Sequence, residues 1–265
     1  MTQKQSGAVT KKAEQALATP TIDLAAVLKV AGAGQENITQ EDTGTPRVSI
    51  LQQMSPELDD IEGAKAGMIL SKMDKHTWAG NTGIKVLVCN YEKVYLEWQD
   101  RGTGSSAPVN IFQPKDRPVD AVRGTDGKMR LPSGNYLEES ANFYVLIVDE
   151  EGKVPRTAVI SMKGTQLKAA RSWNYSLKNE FIQDPATKQY HPAPTFMRFY
   201  NLTTLKTQND KGSWYTWSVA KDDMLEDSNL FEFALKFHKS IKAGEHTVKY
   251  DREETEKESS EDIPF

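Results

Sequence analysis

What most constrains the fold of this 265-residue chain is a succession of short β-branched and aromatic runs, each closed by Gly, Pro, Asn or Asp. Residues 47–51 and 67–70 are short strand candidates flanking a loop at 55–63. Residues 84–91 and 93–98 make one long strand or a bent pair. Residues 142–149 and 156–162 predict a hairpin around Glu150-Glu151-Gly152. Residues 195–206 and 213–220 predict another around Asn209-Asp210-Lys211-Gly212, where Asn, Asp and Gly supply the turn conformations. Pro108, Pro114, Pro118, Gly124 and Gly127 break any regular pattern between 107 and 132.

Only two segments carry helical periodicity over several turns. Residues 165–181 place Leu167, Ala170, Trp173, Leu177 and Phe181 on one side and Lys168, Arg171, Tyr175 and Lys178 on the other. Residues 228–242 place Leu230, Phe233, Ala234, Phe237 and Ile241 on a core-facing stripe, with Asp227 or Ser228 as N-cap and Gly244 as stop. Six or more strands with two helices predict a mainly β fold, a small elaborated β-barrel. Residues 1–45 read as a mostly disordered arm in which residues 24–31 make a helix too short to be stable alone. Residues 46–249 read as the folded body, and 250–265 as an acidic, disordered tail.

Charge separates tail from body. The chain holds 33 Lys and Arg against 37 Asp and Glu, a net charge of −4. Residues 251–265 hold seven of those acids and two of the bases, so the tail is −5 and the body +1. A like-charge block at one end marks an interaction tail. The tail stays polar until it ends on Asp262, Ile263, Pro264 and Phe265, an apolar plug on a charged tether.

Within the body, aromatics alternate with bases. Single-strand binders need both, cations to follow the backbone and flat rings on which unpaired bases stack. Residues 195–202 carry aromatics on both faces, as do residues 213–219, more than a half-buried sheet needs for its core. Tyr91, Tyr95, Trp98, Trp173, Tyr200 and Trp214 are the stacking candidates. Lys163, Lys168, Arg171, Lys178, Arg198 and Lys211 are the phosphate candidates. Residues 153–179 contain no acid at all while holding Lys153, Arg156, Lys163, Lys168, Arg171 and Lys178. For any one ring, filling a barrel interior is the competing role, and for the helix bases it is a plain solvated face.

Enzyme signatures are missing. His76, His191, His238 and His246 are scattered without ligand spacing, so no metal is expected. Walker A and Gly-x-Ser-x-Gly are absent, and the pairs Asp59-Asp60 and Asp222-Asp223 read as turns. No cofactor and no catalysis are expected. Cys89, the single cysteine, lies in an apolar run and fits a buried thiol in a reducing cytoplasm. No stretch has the length of a membrane span.

The terminal Asp262-Ile263-Pro264-Phe265 resembles the C-terminal tip of bacterial single-stranded DNA-binding proteins. In that family the tip docks repair and replication enzymes. Residues 61–69 and 131–136 resemble segments of phage proteins of this length. Together these residues resemble phage-encoded single-stranded DNA-binding proteins. That resemblance implies an OB-fold body that coats single strands in replication, recombination or repair, and a tail that recruits polymerase, primase, exonuclease or host readers of the tip. It implies host cytoplasm as the location and allows a homo-oligomer. Two other classes stay open: a phage structural or assembly protein with a solubilising tail, and a recombination mediator that anneals strands.

Overall fold

In the computed structural model, which describes residues 23–38, 40–100, 106–148, 155–210 and 212–250, the strand runs assemble into one 11-stranded sheet and one two-stranded ribbon. By its contacts the chain divides into Met1–Thr39 and Gln40–Phe265. The first unit holds α1 (Leu24–Lys29), whose Asp23 carboxylate accepts from the Ala25 amide and whose residues are all exposed. The second opens with α2 (Gln40–Thr43), β1 (Arg47–Ile50), α3 (Glu57–Asp60), β2 (Ile69–Ser71), β3 (Thr77–Trp78) and β4 (Ile84–Trp98). It continues with β5 (Asn110–Phe112), β6 (Val122–Arg123), β7 (Met129–Arg130), β8 (Tyr136–Val148), β9 (Arg156–Lys163) and α4 (Leu167–Lys178). A ribbon of β10 (Phe181–Gln183) and β11 (Tyr190–Pro192) precedes β12 (Arg198–Asn209), β13 (Gly212–Met224) and α5 (Ser228–Lys242).

One extra residue in β4 shapes the sheet. Val88 pairs with Val145 but Asn90 pairs with Tyr144, so Cys89 is a bulge. Before it Ile84, Val86 and Val88 face one core while Leu87 and Cys89 face a second. After it the parity inverts: Tyr91 packs on the first core, and Val94, Leu96 and Trp98 turn to a third. Inserting one residue into a period-two pattern must flip every later side chain, and it bends the strand. The 84–98 segment is therefore one strand and bent.

Strands β4, β8 and β9 form an antiparallel meander, and β12 returns to pair antiparallel with β4. The spatial order β12-β4-β8-β9 is that of a Greek key, its fourth strand beside its first. α4 is inserted after the third strand, and β13 follows the fourth. β1 is added parallel to β9, and β2 and β3 extend the sheet beyond it.

The far ends of the sheet meet through side chains and loops. Gln52 bonds both ways with the Tyr215 backbone, at 3.0 and 2.9 Å, and the Thr204 amide and hydroxyl donate to the Gly80 and Gly67 carbonyls at 2.8 and 2.6 Å. Gly67, at φ 92°, has no room for a Cβ, which would collide with the Tyr215 ring. The result is a partly open, elaborated β-barrel.

Both faces of the meander are covered. Inside, Ala170, Trp173 and Leu177 of α4 pack among Phe143, Ile160 and Trp217. Outside, Ala234, Phe237 and Ile241 of α5 cover Leu87, Tyr144 and Val159. Asp227 caps α5 by accepting from the Asn229 and Leu230 amides, and Gly244 ends it at φ 82°. Two expected core residues lie elsewhere. Phe181 belongs to β10 and is 51% exposed, because the helix ends at Lys178; Phe233 sits at the edge of α5's stripe and is 39% exposed.

Candidate nucleic-acid interface

An open groove of about 490 Å³ lies where β1, β8, β9 and β13 meet the start of α4. Trp98 and Tyr136 form one wall and Trp214, Tyr215 and Trp217 the other, with Ser161 and Lys163 between them. The antiparallel hairpin of β12 and β13 carries the second wall, its register running unbroken from Tyr200↔Lys221 to Asn209↔Gly212. Gln53 ties that hairpin to the segment after β1 by donating to the Ser213 hydroxyl at 3.1 Å. The first wall is braced by the buried Glu97 carboxylate, which accepts from Asn110 at 2.7 Å and Asn135 at 2.6 Å.

The cation that lines the groove, Lys163, and two cations beside its Tyr136 ring have protein partners. Glu138 accepts from Trp98 Nε1 at 3.2 Å and lies 3.1 Å from Lys163 Nζ, which also sits 5.6 Å over the Trp98 ring. Lys128 lies 4.6 Å over Tyr136. Arg130 bonds Asp100 at 2.8 Å and Asp126 at 2.5 Å, and its hydrogen bonds hold both carboxyls below the usual carboxylate range. The Ser161 hydroxyl, buried at the groove, has no hydrogen-bond partner among the described residues.

At the groove's edge the chain turns through Thr165 and Gln166 into α4. Its inner side is apolar; its outer side presents Lys168, Arg171, Tyr175 and Lys178, all exposed, Tyr175 by 74%. These positions are spaced i, i+3, i+7, i+10, so they form one stripe along about 15 Å of helix. Among the described residues, none of the three cations makes an ion pair or side-chain hydrogen bond.

The expected site residues therefore separate into groups. Lys168, Arg171 and Lys178 share one solvent-facing stripe, and Lys163, Trp98 and Trp214 share the groove. Tyr91 is half-buried against Phe143 at 5.1 Å, and Tyr95 is half-buried under Arg117 at 4.9 Å. Trp173 and Tyr200, expected to stack on bases, are instead core rings: both are 1% exposed, and Trp173 stacks on Phe143 with centroids 4.2 Å apart. Burial pushes the Tyr200 hydroxyl up to about 12. Trp98 borders the groove but is 2% exposed. Arg198 is spent within the protein, 3.0 Å from Glu180 and donating to the Asp222 carbonyl at 2.7 Å. Lys211 and the tip Asp262, Ile263, Pro264 and Phe265 lie outside the described residues.

The surplus of aromatics has a structural source. A sheet covered by α4 within and α5 without buries rings on both faces, so two-sided aromatics do not by themselves mark a binding platform. The sequence gives no strand signal for Tyr136 in the groove, because the strand at residues 136–141 carries Glu138, Glu139 and Ser140 and lacks an apolar run. Tyr215 and Gln52 also line the groove, one from the aromatic-rich 213–219 strand and one from the segment after β1. The Gly134-Asn135 turn before Tyr136 was the available signal. Among the described residues no three His, Cys, Asp or Glu side chains gather as metal ligands, and no helix is long and apolar enough to cross a membrane.

Residues 12–247 match the family model described as Pam3 phage gp34-like protein. No curated protein and no solved structure matches the chain. The matched span takes in the barrel, α4 and the ribbon, and stops short of the acidic tail.

Proposed function

We propose, from the premise that this chain belongs to the Pam3 phage gp34-like protein family, that it is a phage protein that binds single-stranded DNA stoichiometrically. The observation that carries this reading is the run of a ring-lined groove into a stripe of cations that no acid among the described residues neutralises. Bases lie against Trp214, Tyr215 and Tyr136, each stack being worth roughly 1–3 kcal/mol irrespective of sequence. The backbone leaves the groove past Lys163 and follows Lys168, Arg171 and Lys178. Entry of a phosphate transfers Lys163 from Glu138 to the strand, which keeps the groove from holding anions without rings to stack on them. An OB-like barrel gives such a groove rigid walls.

The acidic tail is the recruiting arm of the same protein. Ile263 and Phe265 supply an apolar anchor, and the acids around them a polyanion that basic pockets of replication or recombination enzymes recognise. Coated strands are thereby delivered to those enzymes during phage DNA metabolism.

Anisotropy of labelled oligo-dT and of a duplex of equal length tests the reading. Sub-micromolar binding of the single strand, far weaker binding of the duplex and a steep salt dependence are expected. Failure to bind either at low salt overturns it in favour of a structural or assembly role in the phage.

A further inference from the structure

Among the described residues, the large aromatic side chains left exposed are Tyr175 at 74%, Phe181 at 51%, Tyr190 at 70% and Phe233 at 39%. Three of the four fall within residues 175–190, the end of α4 and the β10–β11 ribbon. The ribbon pairs only with itself, Phe181 opposite Pro192 and Gln183 opposite Tyr190, so Phe181 and Tyr190 share one face as diagonal neighbours. Such neighbours lie roughly 7–8 Å apart, close enough for two rings to face successive bases of one strand.

A lone two-stranded ribbon is marginal in water, yet this one is pinned at both ends. At its root the Ala193 amide donates to the Glu180 carbonyl at 2.9 Å, and the Glu180 carboxylate is bonded by Arg198 and Lys221. At its tip the Asp184 carboxylate accepts from the Ala186 amide and the Thr187 hydroxyl, each at 2.8 Å. Both acids between residues 164 and 194 are thus consumed internally. The four bases of that span, Lys168, Arg171, Lys178 and Lys188, have no side-chain partner among the described residues. Exposed rings on a pinned support with uncompensated positive charge complement a flexible polyanion carrying flat, apolar faces.

We infer that the β10–β11 ribbon and Tyr175 form a second stacking station for single-stranded DNA, reached along the α4 stripe from the groove. The inference rests on the proposed strand binding. It makes the bound strand longer than the groove, because α4 alone spans about 18 Å. Strands too short to leave the groove do not feel the ribbon.

Anisotropy titrations with labelled oligo-dT of about 8 and about 25 nucleotides test it on the full chain. The double variant Tyr175→Ala/Tyr190→Ala should lose at least about fivefold in affinity for the long strand and less than about twofold for the short one. Trp214→Ala should weaken both lengths. Both tyrosines are exposed, so the fold is expected to hold, and a thermal melt checks that it does. As an independent variant, Lys178→Glu/Lys188→Glu should weaken long-strand binding and flatten its salt dependence. Equal losses at both lengths, no loss at either, or a changed oligomeric state with unchanged affinity overturns the ribbon station. If those results accompany a Trp214→Ala defect, strand binding in the groove stands and only the ribbon falls. If the unaltered chain binds neither oligonucleotide, both fall.

Discussion

The groove and the outer side of α4 solve the same electrostatic problem in opposite ways. The cation that lines the groove leans on the protein itself, Lys163 on Glu138 and Trp98, and so do the two beside its Tyr136 ring, Lys128 on that ring and Arg130 on Asp100 and Asp126. On α4 the cations Lys168, Arg171 and Lys178 have no such partner among the described residues. Rings follow the reverse order, mostly sunk into the groove walls and exposed at Tyr175 and the ribbon. A region that compensates its own charge favours shape and stacking; a region that leaves charge bare favours long-range attraction. Affinity should therefore divide into a salt-insensitive share from the groove and a salt-sensitive share from the helix.

The largest expected effect separates the two sides of α4. Trp173→Ala removes the ring that fills the barrel, and should cost about 3–5 kcal/mol in denaturant unfolding. Arg171→Glu, on the outer side, should leave stability within about 0.5 kcal/mol while weakening single-strand binding and its salt dependence. If the two variants behave alike in either assay, the division of the helix into a packing side and a binding side is wrong.

Trp214→Ala comes next, with an expected loss of roughly 1–3 kcal/mol in oligo-dT affinity. Little of that loss should vary with salt, whereas the loss from Arg171→Glu should shrink as salt rises.

A smaller effect runs the other way. Glu138→Gln leaves an acceptor for Trp98 but releases Lys163, so strand affinity should rise by about 1 kcal/mol or less at low salt. A decrease would mean that Glu138 supports the wall more than it restrains the cation.

Smallest is a pH effect at the ribbon root. Burial alone would raise the Glu180 carboxyl, but hydrogen bonds from Lys221 and Arg198 and their charges carry it below the ordinary value. A carboxyl lowered on folding stabilises above its unfolded pKa, and that contribution disappears as pH falls through the folded one. Amide exchange in residues 181–192 should quicken as pH falls through the acidic range relative to the intrinsic rate, and Glu180→Gln should remove that dependence.

Much of this was legible in the chain. The i, i+3, i+7 spacing that divides α4 into two sides depends only on helical geometry, and the structure reproduces it from Leu167 to Lys178. The cap at Asp227 and the turn between Asn209 and Gly212 were equally local. What escaped was tertiary. Whether Trp173 and Tyr200 face bases or a core depends on α4 entering the barrel, which no local pattern records. The bulge at Cys89 reads locally as a continuous apolar run, and only its cross-strand partners reveal the parity switch. Early β8 carries Glu138, Glu139 and Ser140 and lacks an apolar run, yet it is held in place by β4, and its first two residues also by β7. Phe181 continues the helix pattern by spacing but falls past Asn179, whose amide closes the helix on the Tyr175 carbonyl.

In the proposed complex one strand lies across the groove and along the outer side of α4. Hydrogen exchange of the full chain, with and without saturating oligo-dT, measures this directly. Slowed exchange is expected in residues 213–217 and 167–178, with α5 unchanged. No slowing anywhere, or slowing confined to α5 and the sheet face beneath it, would show that the strand does not lie there.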